Sequence, residues 1–167
     1  GPRPAGPCAE AVRRGAIAAL EREWPGDEHV GSALTSLVQN DRYVRVKQAA
    51  LQALARSWPG QRDILHRIES RIPMEHSSSY LTWMLTYLSS NWKNDKHALL
   101  IMQQMEHELW QLTSGEAFAR SYVNSVIVGW SRSEEAAAIL ERWAVSPGPQ
   151  EARQIALDFL GLRWLDR

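Results

Sequence analysis

VRRGAIAALEREWPG, Val12 to Gly26, returns as VKQAALQALARSWPG, Val46 to Gly60. Val12 matches Val46, Ala16 matches Ala50, Leu20 matches Leu54 and Trp24-Pro25-Gly26 matches Trp58-Pro59-Gly60, always at an offset of 34 residues. A fixed period of this length is the mark of a repeat architecture, in which one supersecondary unit is stacked on copies of itself. The period outlasts the wording. Trp92 lies 34 residues after Trp58, with Tyr80, Leu85 and Leu88 where Val46, Leu51 and Leu54 place them. Trp130 follows 38 residues later behind Phe118, Val123 and Val126, and Trp164 a further 34 later behind Ala156, Leu157 and Leu160. The four additional residues between the third and fourth repeats amount to about one helical turn.

Within each repeat the apolar residues recur at spacings of three and four, the period of an amphipathic helix. The expected first helix runs from Ala9 to Trp24, with Val12, Ala16, Ala19, Leu20 and Trp24 on its inner stripe. Pro25-Gly26 stops it, because proline removes a ladder donor and glycine tolerates the turn. Asp27 is placed to cap a second helix through Gln39. The same alternation predicts a helix centred on Val46–Trp58, a partner carrying Ile64, Leu65, Ile68 and Ile72 up to Pro73, a third pair at Tyr80–Trp92 and Asp95–Leu112, a fourth at Glu116–Trp130 and Glu134–Val145, and a last helix Glu151–Trp164. Ser77-Ser78-Ser79, Thr113-Ser114-Gly115 and Pro147-Gly148-Pro149 read as the intervening caps and breaks. No stretch alternates with period two, so no sheet is expected. Each terminal Trp shares a face with a core Leu or Val four residues earlier and is expected to wedge between successive repeats. The fold class is therefore all-α: an α-solenoid of antiparallel helix pairs, with four full repeats plus a fifth first-type helix.

Composition sets the outer bounds. The chain has 167 residues, 44% of them hydrophobic, which suffices for one buried core across residues 8–167. Residues 1–7 hold three prolines and two glycines and read as a lead-in, with Gly1-Pro2 resembling the scar of a cleaved expression tag. Lys+Arg and Asp+Glu are both 19, so no bulk charge points to nucleic acid or an acidic membrane. The lone Cys8 excludes an internal disulfide and fits a reducing, cytoplasmic setting. No apolar run approaches the roughly 18 residues of a membrane span.

Val12–Gly60, with its Val-Arg start, Ala-Ala-Leu core and terminal Trp-Pro, resembles HEAT repeats, and in particular arrays that follow the NACHT-type ATPase module of bacterial signal-transduction NTPases. The pattern is clear over the first two repeats and reduced to Trp and apolar spacing in the rest. The resemblance implies a right-handed solenoid serving as a sensor or scaffold segment of a larger bacterial signalling or defence protein. It also implies that the second-type helices line a concave binding face, which makes Ser32, Ser36, Arg67, Arg71, Gln104, Glu108 and Arg142 outward candidates. No ATPase is present in this stretch, since GxxxxGK[ST] does not occur.

Catalytic patterns are also missing from the sequence. There is no GxSxG elbow, and Cys8 has no neighbouring histidine. His66, His76 and His107 show neither HxxxH nor HExxH spacing, while His29 and His97 stand at equivalent places two repeats apart. Glu134-Glu135 follows Ser133 at a helix start, where negative charge meets the positive end of the dipole. The expectation is a protein without catalytic residues, metal or cofactor. Basic residues concentrate before position 72, Arg13, Arg14, Arg45, Arg56, Arg67 and Arg71 among them, interleaved with Asp27, Asp41, Asp63 and Glu69. Asp41 and Arg45 form a favourable i,i+4 pair. Arg13, Arg45, Arg67, Arg71, Gln104 and Glu108 are the candidate partner-binding residues, the partner being a protein or an adjacent domain of the same chain. Alternatives from other classes are a nucleic-acid-binding HEAT-like solenoid, whose affinity would fall steeply with salt, and a HEAT-like enzyme acting on DNA, which would need a deep pocket.

Overall fold

The computed structural model describes residues 6–58, 62–74, 78–112 and 116–165. The Pro59-Gly60 stop, His76, Ser77, the Thr113-Ser114-Gly115 break and the last two residues lie outside the described residues, as do the side chains of Leu109 and Trp164. The described residues fold into nine α-helices: α1 (Pro7–Glu23), α2 (Glu28–Asn40), α3 (Val44–Ser57), α4 (Asp63–Arg71), α5 (Ser78–Asn91), α6 (Lys96–Leu112), α7 (Glu116–Trp130), α8 (Glu134–Val145) and α9 (Gln150–Leu165). A 3-10 turn, Ile72–Met74, follows α4 at Pro73. No strand occurs among the described residues, so the chain is all-α. None of these helices is long and apolar enough to cross a membrane.

The helices start and stop for recurring reasons. Trp24 and Trp58 close α1 and α3 with nearly the same backbone geometry, φ −133° and −125°, each donating its amide to the leucine four residues before. Two residues after Trp24, Gly26 takes φ +78°; two residues after Trp92, Asn94 takes φ +63°. This left-handed conformation is open to glycine and, among other residues, most readily to asparagine. The turn then closes onto the tryptophan carbonyl: the amides of Asp27, Asp95 and Ser133 donate to Trp24, Trp92 and Trp130 at 3.3, 3.1 and 2.9 Å. Each closing residue is also the cap of the next helix. Asp27 Oδ1 accepts from the amides of His29 and Val30, Asp95 Oδ1 from Ala98, and Ser133 Oγ from Ala136.

The described residues form two compact units, one ending at Ile64 and one beginning at Leu65. In the first, α1 packs on both α2 and α3, and α2 packs on α3. In the second, α5 packs on α7 and α7 on α9, so first-type helices lie against one another, while α6 and α8 each contact the first-type helices before and after them. The core columns follow the repeat. Val46 and Tyr80, Ala50, Met84, Tyr122 and Ala156, and Leu51, Leu85 and Val123 are all buried. The first and last helices in chain order depart from the expected stripe. Val12 is 70% exposed and Ile17 is instead the buried residue of α1, while Leu157 is 45% exposed and α9 buries Ala152, Ala156 and Leu160. Within the second unit, α7, which packs on both α5 and α9, buries Tyr122, Val123, Val126 and Trp130, whereas α9 leaves Leu157 open.

The tryptophans differ accordingly. Trp58 is buried with its indole lying on Gly31, where a methyl would meet Nε1 at 3.0 Å. Trp130 is also buried, and its Nε1 donates to the Asp95 carbonyl at 2.9 Å. Both indoles thus reach back to the start of the preceding second-type helix. Trp92 is half-buried and donates to Tyr87 Oη, and Trp24 is 54% exposed.

Candidate functional site

Helices α4 and α6 carry the densest chemistry in the second compact unit. His66 and Glu69 stand one turn apart on α4 and share a face. His97 opens α6, and its Nε2 lies 3.0 Å from Glu69 Oε2. His66 Nδ1 is 3.8 Å from the same oxygen, and the two imidazole centroids are 5.0 Å apart with the rings tilted by 52°. The other carboxylate oxygen, Oε1, accepts from Gln104 Nε2 at 3.1 Å. His97 holds the Glu69 carboxyl below the usual carboxylate range, chiefly through that short contact, with Gln104 adding to it. Glu69 is therefore presented as an anion with one oxygen fixed by Gln104 and the other facing two imidazoles.

Beside this cluster the 3-10 turn and α6 enclose an open groove of about 540 Å³. Its lining combines apolar Ile72, Pro73 and Leu100 with polar Glu69, Gln104, His107 and Glu108. Leu100 is 57% exposed, an apolar side chain left open on a helix that otherwise buries Ala98, Leu99, Ile101, Met102 and Met105. Two of the sequence-predicted partner-binding residues, Gln104 and Glu108, meet in this groove.

The four predicted arginines lie elsewhere. Arg13 is joined to Asp41, whose side chain is fully buried and also accepts from the Tyr43 amide. Arg45 turns to Glu10 at 3.8 Å and not to Asp41, because Asp41 is already taken by Arg13 and Tyr43. Arg67 and Arg71 are half-buried on α4 and have partners within the protein. Arg56, on the same basic flank, makes two hydrogen bonds of 2.9 and 2.8 Å to Glu21. That pairing holds the Glu21 carboxyl low against the opposing effect of its burial. A hollow of about 410 Å³ between α1 and α3 is bordered by this pair and Arg14.

Several of these contacts were invisible to spacing rules. Arg142 grips the buried Glu106 through both carboxylate oxygens at 2.6 and 2.8 Å. Burial, followed by the charge of Glu106, pushes the Tyr122 hydroxyl well above its ordinary range. Tyr80, Trp83 and Tyr87 stack along α5 with centroids 5.6 and 5.5 Å apart. The His66–Glu69–His97 cluster escaped the sequence reading because its histidines sit on different helices. A search for two imidazoles on one helical face does not reach it, and only the spacing of His66 and Glu69 was there to find.

Comparison with protein-family models, with curated proteins and with solved structures finds no match to this chain.

Proposed function

We propose that this chain is a HEAT-like α-solenoid segment that binds a protein, either a partner or a neighbouring domain of a larger bacterial signalling or defence NTPase, through a preformed surface on its second-type helices. The observation that carries the reading is the packing of first-type helices on one another, α1 on α3 and α5 on α7 on α9, with a tryptophan-closed, capped turn recurring between helices. Repeats built this way contact mainly their neighbours and leave an extended face for recognition. The α4–α6 groove supplies such a face. Its apolar lining favours an apolar anchor, and Glu69 and Glu108 favour a basic residue beside that anchor. The engagement of Arg13, Arg45 and Arg56 with carboxylates of the same unit supports a protein partner over a phosphate backbone.

The test is site-specific photo-crosslinking in the native full-length protein. A crosslinker at Gln104 or Glu108 is expected to give a discrete protein adduct that Leu100→Asp abolishes, while a crosslinker at Asp158 gives none. Adducts of equal yield at Asp158, or none at the groove, would overturn the reading.

A further inference from the structure

The cluster at the start of α6 is chemically distinct from a peptide-binding groove. Two imidazoles and a carboxylate are the donor set of many zinc sites and of open-sided transition-metal sites. One nitrogen from each histidine and one Glu69 oxygen all lie within 4.8 Å of one another. Ligand atoms around a tetrahedral zinc ion, bound at about 2.0–2.1 Å, stand about 3.3 Å apart. The observed 3.0 Å from His97 Nε2 to Glu69 Oε2 and 3.8 Å from His66 Nδ1 to the same oxygen bracket that separation.

The surroundings also fit. Metal-bound carboxylates are commonly oriented by a hydrogen bond on their second oxygen, and Gln104 makes that bond to Oε1, leaving Oε2 toward the imidazoles. Glu69 and His97 are partly buried, with side chains 33% and 26% exposed, while His66 is 67% exposed and can rotate in to complete a set. The carboxylate charge matters as well. An imidazole pair alone is neutral, whereas the added anion offsets part of the charge of a divalent cation.

We propose that His66, Glu69 and His97 form a binding site for one borderline divalent transition-metal ion, zinc or cobalt, that ties α4 to α6 and keeps an open coordination position for solvent or an incoming ligand. This inference does not rest on the solenoid reading or on partner binding, since it uses only the local geometry of two helices. The hydrogen bond between His97 and Glu69 holds the two firm ligands near their bound separation before metal arrives. Binding would replace that hydrogen bond with two metal–ligand bonds, a proton on Nε2 of neutral His97 moving through solvent to Nδ1.

The probe is Zn²⁺ itself, titrated calorimetrically into chelator-treated protein, with Co²⁺ absorption as a second readout of coordination. One equivalent is expected to bind saturably and to raise the melting temperature. His66→Ala and His97→Ala should each weaken binding by about tenfold or more, since even the loss of an outer-shell partner costs that much, and Gln104→Leu should weaken it less than either. His29→Ala, His107→Ala and Cys8→Ser should leave it unchanged. His66 is exposed, so its variant is expected to keep the far-ultraviolet circular dichroism of the parent, and it decides the question if the His97 variant unfolds. Absence of saturable Zn²⁺ binding would overturn the site, as would binding of undiminished affinity in a folded His66→Ala protein.

Discussion

An indole at the end of a helix has a large apolar body and one donor, so its worth depends on what covers the ring and what receives the N–H. Trp130 has both kinds of partner: it is buried, and its donor meets the Asp95 carbonyl. Trp24 is more than half exposed at the corresponding place in the first repeat. Trp130→Ala is therefore expected to cost about 3–5 kcal/mol in urea unfolding, and Trp24→Ala about 1 kcal/mol or less. Equal losses at the two positions would show that burial does not distinguish them. A second residue-scale prediction concerns Glu21, whose carboxyl is held low by Arg56. A group with a depressed folded-state pKa stabilises the fold above its unfolded value, near about 4.3 for glutamate, and loses that contribution as pH falls through the folded value. The stability difference between the parent and Glu21→Gln, up to about 1 kcal/mol for a pair whose arginine is largely exposed, should be constant near neutral pH and shrink below pH ~4. A difference that grew toward acid would contradict the assignment.

Between elements, α7 approaches the backbone of α5 closely at Gly129. A methyl built on Gly129 would stand 3.1 Å from Ser89 Cα and 3.3 Å from the Ser89 carbonyl oxygen, both backbone atoms of the facing helix. The Gly129 carbonyl also accepts from the Asn94 amide at 3.0 Å, which ties the end of α7 to the turn after α5. Neither helix can retreat without disturbing that bond. Gly129→Ala is expected to destabilise by about 1–3 kcal/mol despite alanine's better helix propensity. Gly161, on α9, has nothing within 4 Å of the same construction, and Gly161→Ala should stabilise by about 0.5–1 kcal/mol. Opposite signs in paired thermal melts would locate the tight crossing. This contact also marks where sequence reading stops. The helix identities followed from apolar spacing, from Asp27 as a cap and from Glu134-Glu135 at a helix start, and α7 and α8 fall at their expected bounds. Nothing in Gly129 as a letter said that another helix needed its missing side chain. The same holds for Glu106, whose spacing gives no sign that it is buried in the grip of Arg142. Likewise His97 took its meaning from Glu69 only once α4 and α6 were side by side.

Across the whole chain, burial is graded along the order of the helices. In α5 the buried set includes Tyr80, Leu81, Met84, Leu85 and Leu88, and in α7 Tyr122, Val123, Val126 and Trp130. In α1 it is Ile17 with Val12 left open, and in α9 two alanines and Leu160 with Leu157 and Leu162 left open. The 34-residue period made every first-type helix look alike, because spacing records which residues share a face and not whether a neighbour covers it. On the repeat-array reading proposed above, stability is a sum of local terms and nearest-neighbour interfaces, and such a gradient becomes a gradient of opening free energy. Native-state hydrogen exchange should therefore show the amides of α1 and α9 exchanging through low-energy local opening, with α5 and α7 protected up to the largest opening energies. Glu106–Arg142 strengthens the protected end, since freeing α8 from α6 would leave a buried carboxylate without its cation. Arg142→Ala is accordingly expected to lower protection in α6 and α8 before α5, whereas uniform protection across all nine helices would mean that the chain opens as one cooperative body and that the repeats are not energetically separate.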